Sequence, residues 1–198
     1  MRPFAALLLG VLPLAACGET AHLDRLTRPV PHIGRGPEYR YAARHPAAAA
    51  GRPVAGLTCT ARGRERFGVH LEVFLKRLDV VIPAGVGVAG RHRRDGAYVR
   101  GGRCHYPART LEPTGLIEVD QGSEVTLGQF FDLWGQPLGR TRLLRHRTSA
   151  KRPVQAFVGG RRWAGDPRAI PLRRHAAIVL EAGGWFPPSR RYVFPEGL

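Results

Sequence analysis

The sequence predicts a β-rich α+β fold: a single domain of hairpins with one short amphipathic helix packed on the sheet. Three observations support this prediction. Apolar residues alternate with polar ones in several short segments, which is the period of a half-buried strand. The 198 residues include 25 glycines and 17 prolines, a content that favours many turns over a helical bundle. A single segment has the i, i+3, i+4 apolar spacing of an amphipathic helix.

The first predicted strand is Val69–Leu75, in which apolar side chains occupy every second position. Leu78–Ile82 follows after a turn at Lys76–Arg77, so the two segments are expected to form a hairpin. Pro83 ends the second strand or confines it to an edge, because proline has no backbone N–H to donate. Leu116–Val119 is typical of a further short strand.

The helix is predicted to begin after Thr126. Thr126 and Gln129 have the spacing of a capping box, and Gly135 suits the residue that follows a helix C-terminus. The helix carries an apolar stripe that suits core packing better than a ligand platform. The stripe consists of Leu127, Phe130, Phe131 and Trp134.

Two more strands are predicted towards the end of the chain. Val154–Val158 is an apolar run followed by Gly159-Gly160, a dipeptide that favours a tight turn. Ala176–Leu180 has the composition of a buried strand.

Residues 1–16 are typical of a lipoprotein signal peptide. A positive start at Arg2 precedes the apolar segment Phe4–Ala16, which is too short to span a bilayer of about 30 Å. The segment ends in Leu14-Ala15-Ala16-Cys17, an aliphatic residue and two small ones before a cysteine. The Cys17 thiol is expected to take a diacylglyceryl group, and several acyl chains, such as palmitate, give stable membrane anchoring. An ordinary signal peptide or a buried helix is the alternative.

Residues 17–56 are predicted to form a lipid-anchored flexible tether, and residues 57–198 the globular domain. The segment holds five prolines and few large aliphatic residues, so it buries too little apolar surface to offset its ordering entropy. The alternative is an ordered arm that packs on the domain through Tyr39 and Tyr41.

With Cys17 assigned to lipid, Cys59 and Cys104 remain. Two cysteines in an exported domain most simply form a disulfide. The alternative is a degenerate Cys/His metal site that uses Cys104, His105 and His70. Neighbouring residues of an extended chain point to opposite sides, which makes Cys104 and His105 poor joint ligands. No cofactor is expected.

Several segments together resemble an uncharacterised family of exported bacterial proteins, many with lipoprotein or signal segments. The most specific is Leu127–Leu138, which has the form LGQFFDxWGQPL, and the two domain cysteines also resemble family positions. The resemblance covers most of residues 57–198 and supports the fold and the exported location. The other matching segments are His70–Phe74, Ile82–Gly87, Gly115–Val119 and Gly165–Leu172.

This chain departs from the family in its histidines. The family carries clustered histidines before its first strand and again near the Gly115–Val119 segment, in a pattern that suits a metal or polar site. Here His70 remains from the first group, whereas other residue types stand at most of the positions. These are Arg66 and Gly68 in the first group and Arg109, Leu111 and Glu118 in the second.

The net charge of +16 is concentrated in part of the domain. Between Asp132 and Asp166 there are eight basic residues and no acid. This basic segment is expected to contact anionic lipid headgroups or anionic wall polymers; the alternative is a solvated surface in an arginine-rich chain. Nucleic acid is not an expected partner of an exported protein without a nucleic-acid-binding motif. The candidate binding residues are Arg140, Arg142, Arg145, Arg147, Lys151 and Arg152.

The sequence contains no GxSxG, HExxH or P-loop motif. Gly85–Gly90 has the GxGxxG spacing, but no helix is expected to follow it, so the segment is interpreted as a turn. We therefore expect an exported, lipid-anchored protein of the cell envelope with a non-catalytic binding or scaffolding domain. An exported metal-binding domain is the alternative. An enzyme that uses Glu72, Glu118 and Asp120 is a third hypothesis, which requires these carboxylates to converge in a cleft.

Overall fold

The computed structural model describes residues 45–184 and 192–198. The predicted signal peptide, Cys17 and the tether as far as residue 44 lie outside these described residues. Strands account for 37% of the structure and helices for 10%, which confirms the β-rich α+β class. The helices are α1 (Pro46–Ala49) and α2 (Leu127–Trp134), with a 3-10 turn at Pro167–Ala169. The strands are β1 (Arg66–Leu75), β2 (Leu78–Asp79), β3 (Val88–Ala89), β4 (Arg93–Asp95), β5 (Tyr98–Arg100), β6 (Cys104–His105), β7 (Ala108–Arg109), β8 (Leu116–Asp120), β9 (Leu138–Gly139), β10 (Arg142–Leu143), β11 (His146–Arg147), β12 (Gln155–Val158), β13 (Arg161–Arg162) and β14 (Ala177–Ala182).

The main sheet has the order β13-β12-β14-β1-β8-β7, and β2 also pairs with β1. β1 and β14 are parallel, with His70 opposite Ala177 and Leu75 opposite Ala182. The other pairs in this sheet are antiparallel. β1 is therefore the central strand. Three smaller sheets have the orders β11-β10-β9, β3-β6 and β4-β5.

The main core lies against one face of this sheet. Side chains of a strand alternate between its faces, and β1 directs Val69, Leu71 and Val73 to the core, each at most 1% exposed. β14 contributes Ile178 and Leu180, which are fully buried. Burying an aliphatic side chain of this size stabilises the fold by roughly 1.5–3 kcal/mol. The opposite face of the sheet carries the polar residues of β1, including His70.

The termini of α2 confirm the predicted capping. The Thr126 hydroxyl accepts a hydrogen bond from the Gln129 N–H, the Gln129 side chain accepts from the Thr126 N–H, and Gly135 has a φ of 74°. Gly128 lies so close to the 3-10 turn that a Cβ there would meet Arg168 at 2.9 Å. The Leu127 N–H donates to the Ile170 carbonyl over 2.8 Å, so the helix is fixed to the chain that follows this turn.

The predicted hairpin between β1 and β2 is confirmed, with Leu75 opposite Leu78. Lys76 and Arg77 both have positive φ, at 52° and 69°, as a two-residue hairpin turn requires. The second strand is shorter than the predicted Leu78–Ile82, because regular pairing ends at Asp79 and a single further bond follows from the Val80 N–H to the Val73 carbonyl.

Residues 45–56, which composition assigned to the tether, pack on the domain. Ala48 on α1 and Val54 are 3% and 6% exposed and belong to the main core. The Arg103 guanidinium donates to the Ala50 carbonyl over 2.5 Å, and the Tyr106 hydroxyl donates to the Arg52 carbonyl. Small apolar side chains, and hydrogen bonds from side chains of the domain to backbone carbonyls of this segment, thus compensate for its lack of large aliphatic residues.

Candidate anion-binding surface

The small sheet of β9, β10 and β11, with the turn that follows it, carries the six basic residues that the sequence singled out. We call residues 138–152 the basic hairpin sheet. Arg142 on β10 is directly opposite Arg147 on β11. Directly opposed residues of antiparallel strands project from the same face, with Cβ atoms roughly 5 Å apart. The side chains of Arg142 and Arg147 therefore project from adjacent positions on one surface of the sheet.

Tight turns distribute the other basic residues around this pair. Arg142 also pairs with Gly139, and Leu143 pairs with His146, so each connection between strands has two residues. Arg140 lies in the first turn and Arg145 in the second, at the two ends of β10. A third turn, closed by the bridge between Ser149 and Arg152, places Lys151 at its tip. All six basic residues are exposed except Arg142, which is half-buried.

Apolar residues fix the basic hairpin sheet to the domain. Leu143 is fully buried, while Leu138 and Leu144 are 6% and 8% exposed, and all three belong to the main core. Because Leu143 is buried, Arg142 beside it on β10 projects from the opposite face of the sheet. Core packing thus holds a small sheet that is too short to be stable alone and leaves its basic face accessible.

The charge on this surface is not neutralised by ion pairs among the described residues. No carboxylate within residues 45–184 and 192–198 forms an ion pair with any of the six, whereas Arg168 binds Asp132 at 2.7 Å and Arg100 binds Asp95 at 3.0 Å. Like charges at directly opposed positions destabilise a sheet. An anion that binds between Arg142 and Arg147 would relieve this repulsion.

The predicted disulfide is present. Cys59 and Cys104 are bonded, with an S–S distance of 2.12 Å and Cα atoms 5.5 Å apart. Cys104 begins β6, and a β-bridge between Thr60 and His105 brings the two segments together. The bond therefore joins the segment before β1 to the small β3–β6 sheet.

The residues of the metal-site alternative are not brought together. Cys104 is in the disulfide, the His105 Nε2 lies 3.1 Å from the Gly101 carbonyl oxygen, and His70 lies in the main sheet. Across the part of the chain that the structure describes, no group of three His, Cys, Asp or Glu side chains is arranged to hold a metal ion.

His70 lies on the polar face of β1 and is 7% exposed. Burial lowers the pKa of this imidazole to about 4, although a hydrogen bond to the Thr114 carbonyl acts in the opposite direction. The Tyr192 ring stacks on the imidazole, and burial raises the pKa of the Tyr192 phenol. The Glu72 carboxylate is 3.8 Å from the imidazole Nδ1. His70 is thus held neutral in a packed setting.

Two of the three carboxylates proposed for an enzyme take part in a buried ion-pair network. Arg109 is 5% exposed and donates to Asp120 over 2.9 Å and to Glu118 over 3.4 Å. Arg66 binds the same Glu118 carboxylate at 2.5 Å. This network was not predicted from the sequence, although the positions of Arg109 and Asp120 beside short apolar segments were a visible signal. These contacts stabilise the polar face of the sheet and engage both the Glu118 and the Asp120 carboxylates in ion pairs.

No protein-family model, curated protein or solved structure matches this chain. No helix among the described residues is long and apolar enough to cross a membrane.

Proposed function

We propose that this protein is a lipid-anchored component of the cell envelope whose non-catalytic domain binds anionic envelope components through the basic hairpin sheet. The observation that carries the proposal is the direct opposition of Arg142 and Arg147 without a carboxylate partner among the described residues. Lipid headgroups and wall polymers both offer the phosphate and carboxylate groups that a guanidinium binds with two parallel hydrogen bonds.

The number of basic residues makes such binding energetically useful. Each basic side chain close to an anionic membrane surface contributes about 1 kcal/mol at moderate ionic strength. Six residues on one small sheet can act together, because a lipid-anchored domain stays close to the surface and needs no new encounter. The affinity is expected to fall as salt is added, since the contacts are exposed.

The proposed anchor rests on the sequence Leu14-Ala15-Ala16-Cys17 after an apolar segment. Cys17→Ala removes the thiol that would carry the lipid, so the protein should move from the membrane fraction to the soluble fraction of fractionated cells. Gly18→Ala leaves the thiol in place and serves as the control. Retention in membranes, after a carbonate wash, of a Cys17→Ala chain from which residues 1–16 have been removed would exclude the lipid anchor.

A charge-reversal experiment tests the binding surface. Arg142→Glu, Arg145→Glu and Arg147→Glu are combined in the full Cys17→Ala chain, and sedimentation with vesicles is measured. Comparing vesicles with and without anionic phospholipid isolates the charge effect, because apolar insertion of the N-terminal segment contributes to both. The same samples are tested on an extract of anionic wall polymer.

The matched control carries the same change in charge at another place. Arg62→Glu, Arg161→Glu and Arg162→Glu alter three exposed residues that do not belong to the basic hairpin sheet. The first triple variant should lose most of the anion-dependent binding and the control should retain it. Equal losses would indicate a response to net charge alone, and no loss in either would rule out the surface.

We also propose kinship with the exported family that shares the LGQFFDxWGQPL block. Support comes from the positions at which that family has clustered histidines. In this chain Arg66, Gly68, Arg109 and Glu118 occupy such positions and lie together, since Gly68 and Arg109 both pair with Glu118. An ion-pair network here would then replace the polar cluster of the family.

We also propose that α2 packs on the main sheet. Its Leu127 and Phe130 are fully buried in the apolar cluster that also contains Leu71 of β1. A Phe130→Ala variant should therefore destabilise the domain by about 3–5 kcal/mol, as other buried phenylalanine truncations do. Chemical denaturation measures this change.

A further inference from the structure

A second basic feature lies at the start of β1, outside the basic hairpin sheet. It is a cleft of about 470 Å³, within the size range of small-molecule sites. Three arginines, two at the start of β1 and one in the segment before β14, line it together with one acidic residue. The lining residues are Arg64, Glu65, Arg66, Gln121, Arg174, Gly197 and Leu198.

Two of the three guanidinium groups are oriented by contacts within the protein. Arg66 binds the Glu118 carboxylate at 2.5 Å, and Glu118 is itself held by Arg109. Arg174 donates to the Gln121 side-chain oxygen over 3.1 Å, and its guanidinium carbon lies 5.4 Å from the centre of the Phe67 ring. Donors that are already positioned lose less conformational entropy when a ligand binds.

The lining is positively charged. The three arginines outnumber the one acidic side chain of the lining, Glu65, and Glu118 offsets part of the charge of Arg66 from outside the cleft. Arg64 is exposed and forms no ion pair with a carboxylate in the described part of the chain. It can therefore complete the contacts to an anion that the two oriented arginines begin.

Residues 192–198 supply one wall of the cleft and are attached to the sheet. The His175 Nε2 lies 2.6 Å from the Leu198 carbonyl oxygen, and the His175 and Phe194 rings stack with centroids 4.6 Å apart. Phe194 also lies against Gly68 of β1, where an added Cβ would meet its ring at 2.6 Å. The wall next to Arg174 is therefore a packed part of the fold.

We infer that this cleft binds the phosphate group of a small molecule. A phosphate monoester carries close to two negative charges and three acceptor oxygens, which suits several guanidinium groups better than a single carboxylate does. The volume exceeds what a phosphate occupies alone, so the remaining space would hold an attached organic group. The residues are separate from those of the proposed function, and either site can exist without the other.

Titration calorimetry of the purified full-length protein with phenyl phosphate tests the inference. Arg64→Gln combined with Arg174→Gln should weaken binding by at least about tenfold, the loss expected from removing charge-assisted hydrogen bonds. Arg161→Gln combined with Arg162→Gln removes the same charge from the exposed strand β13 and should leave the affinity unchanged. Benzoate, which has the same ring on a carboxylate, should bind at least about tenfold more weakly than phenyl phosphate.

The outcomes separate the two proposals. Loss of phenyl phosphate binding in the cleft variant, with normal binding in variants of the basic hairpin sheet, supports the cleft. Absence of phenyl phosphate binding by the wild-type protein, equal binding of benzoate, or equal losses in the cleft and β13 variants would overturn the inference. None of these results bears on the vesicle experiment, because that experiment changes Arg142, Arg145 and Arg147.

Discussion

The imidazole of His70 and the ring of Tyr192 are stacked in parallel, with centroids 3.8 Å apart and planes 8° from each other. This contact joins the central strand β1 to the segment 192–198. The Tyr192 ring also meets the Phe194 ring edge to face, and Phe194 in turn stacks on His175. Four rings thus fasten the segment along the polar face of the sheet.

The stability of the domain should decrease in acid because of His70. The pKa of His70 is about 4 in the fold, below the ordinary value of 6.5. Between these two pH values the unfolded chain therefore binds a proton at His70 and the folded chain does not. The contribution of neutral His70 is complete above pH 6.5 and is lost as the pH falls towards 4. The loss amounts to about 3 kcal/mol, which denaturant unfolding measured at several pH values would detect.

The comparison that isolates this effect is the pH slope of His70→Gln against the wild type. Glutamine keeps a donor for the Thr114 carbonyl and removes the titration. The slope between pH 6.5 and 4 should become flatter in His70→Gln than in the wild type. Burial raises the pKa of Asp79, so this carboxyl acts in the opposite sense in all the chains compared. An unchanged slope in His70→Gln would contradict the assignment.

Substitution of Gly68 should release the segment 192–198. A Cβ at this position would approach the Phe194 ring at 2.6 Å and a Leu116 methyl at 3.2 Å, so the aromatic ring has to move. Gly68→Ala should therefore raise the hydrogen-exchange rate of residues 192–198. Gly63→Ala is the control, because a Cβ there has no neighbour within 4 Å. Phe194→Ala alone should also raise this rate, because its ring holds the segment. In the Phe194→Ala background, Gly68→Ala should then add little, and a large further increase would assign the damage elsewhere.

Reduction of the disulfide should destabilise the domain without removing its core. Cys59 and Cys104 are 45 residues apart, and the chain-entropy model for a loop of that size gives about 4 kcal/mol. Urea unfolding with and without dithiothreitol, in a Cys17→Ala background that lacks the third thiol, measures the difference. The double variant Cys59→Ala/Cys104→Ala should resemble the reduced protein and show no response to the reductant. A reductant effect that persists in this double variant would show that the disulfide is not its source.

Local patterns predicted the local structure well. The capping box at Thr126 and the glycine at Gly135 define α2 because they act within one turn of chain. Alternation predicted β1, and the positions of Lys76 and Arg77 gave its hairpin turn. The disulfide was predicted because two cysteines, Cys59 and Cys104, remained in a chain that was expected to be exported. The helix caps and the hairpin turn depend on neighbours in sequence, which a pattern can report, whereas the disulfide was predicted from the number of cysteines.

The remaining features depend on residues that are distant in sequence. Nothing near β1 indicates that it pairs in parallel with β14 or that Arg66 meets Glu118. The cleft likewise needs Arg64 and Arg174, which come together through the sheet. The charge of the segment 140–152 was visible, but the opposition of Arg142 and Arg147 required the strand register. Composition also assigned residues 45–56 to a tether, because the core that receives Ala48 is built from later parts of the chain.

The parallel pairing of β1 with β14 has a consequence for the order of folding. β1 and its hairpin partner β2 are synthesised well before β14, and joining residues 70 and 177 closes a long loop, which is slow. Until β14 arrives, residues 70–75 of β1 present an unpaired edge that another chain could join. The arrival of β14 therefore both completes the sheet and removes the site at which two unfinished molecules would aggregate.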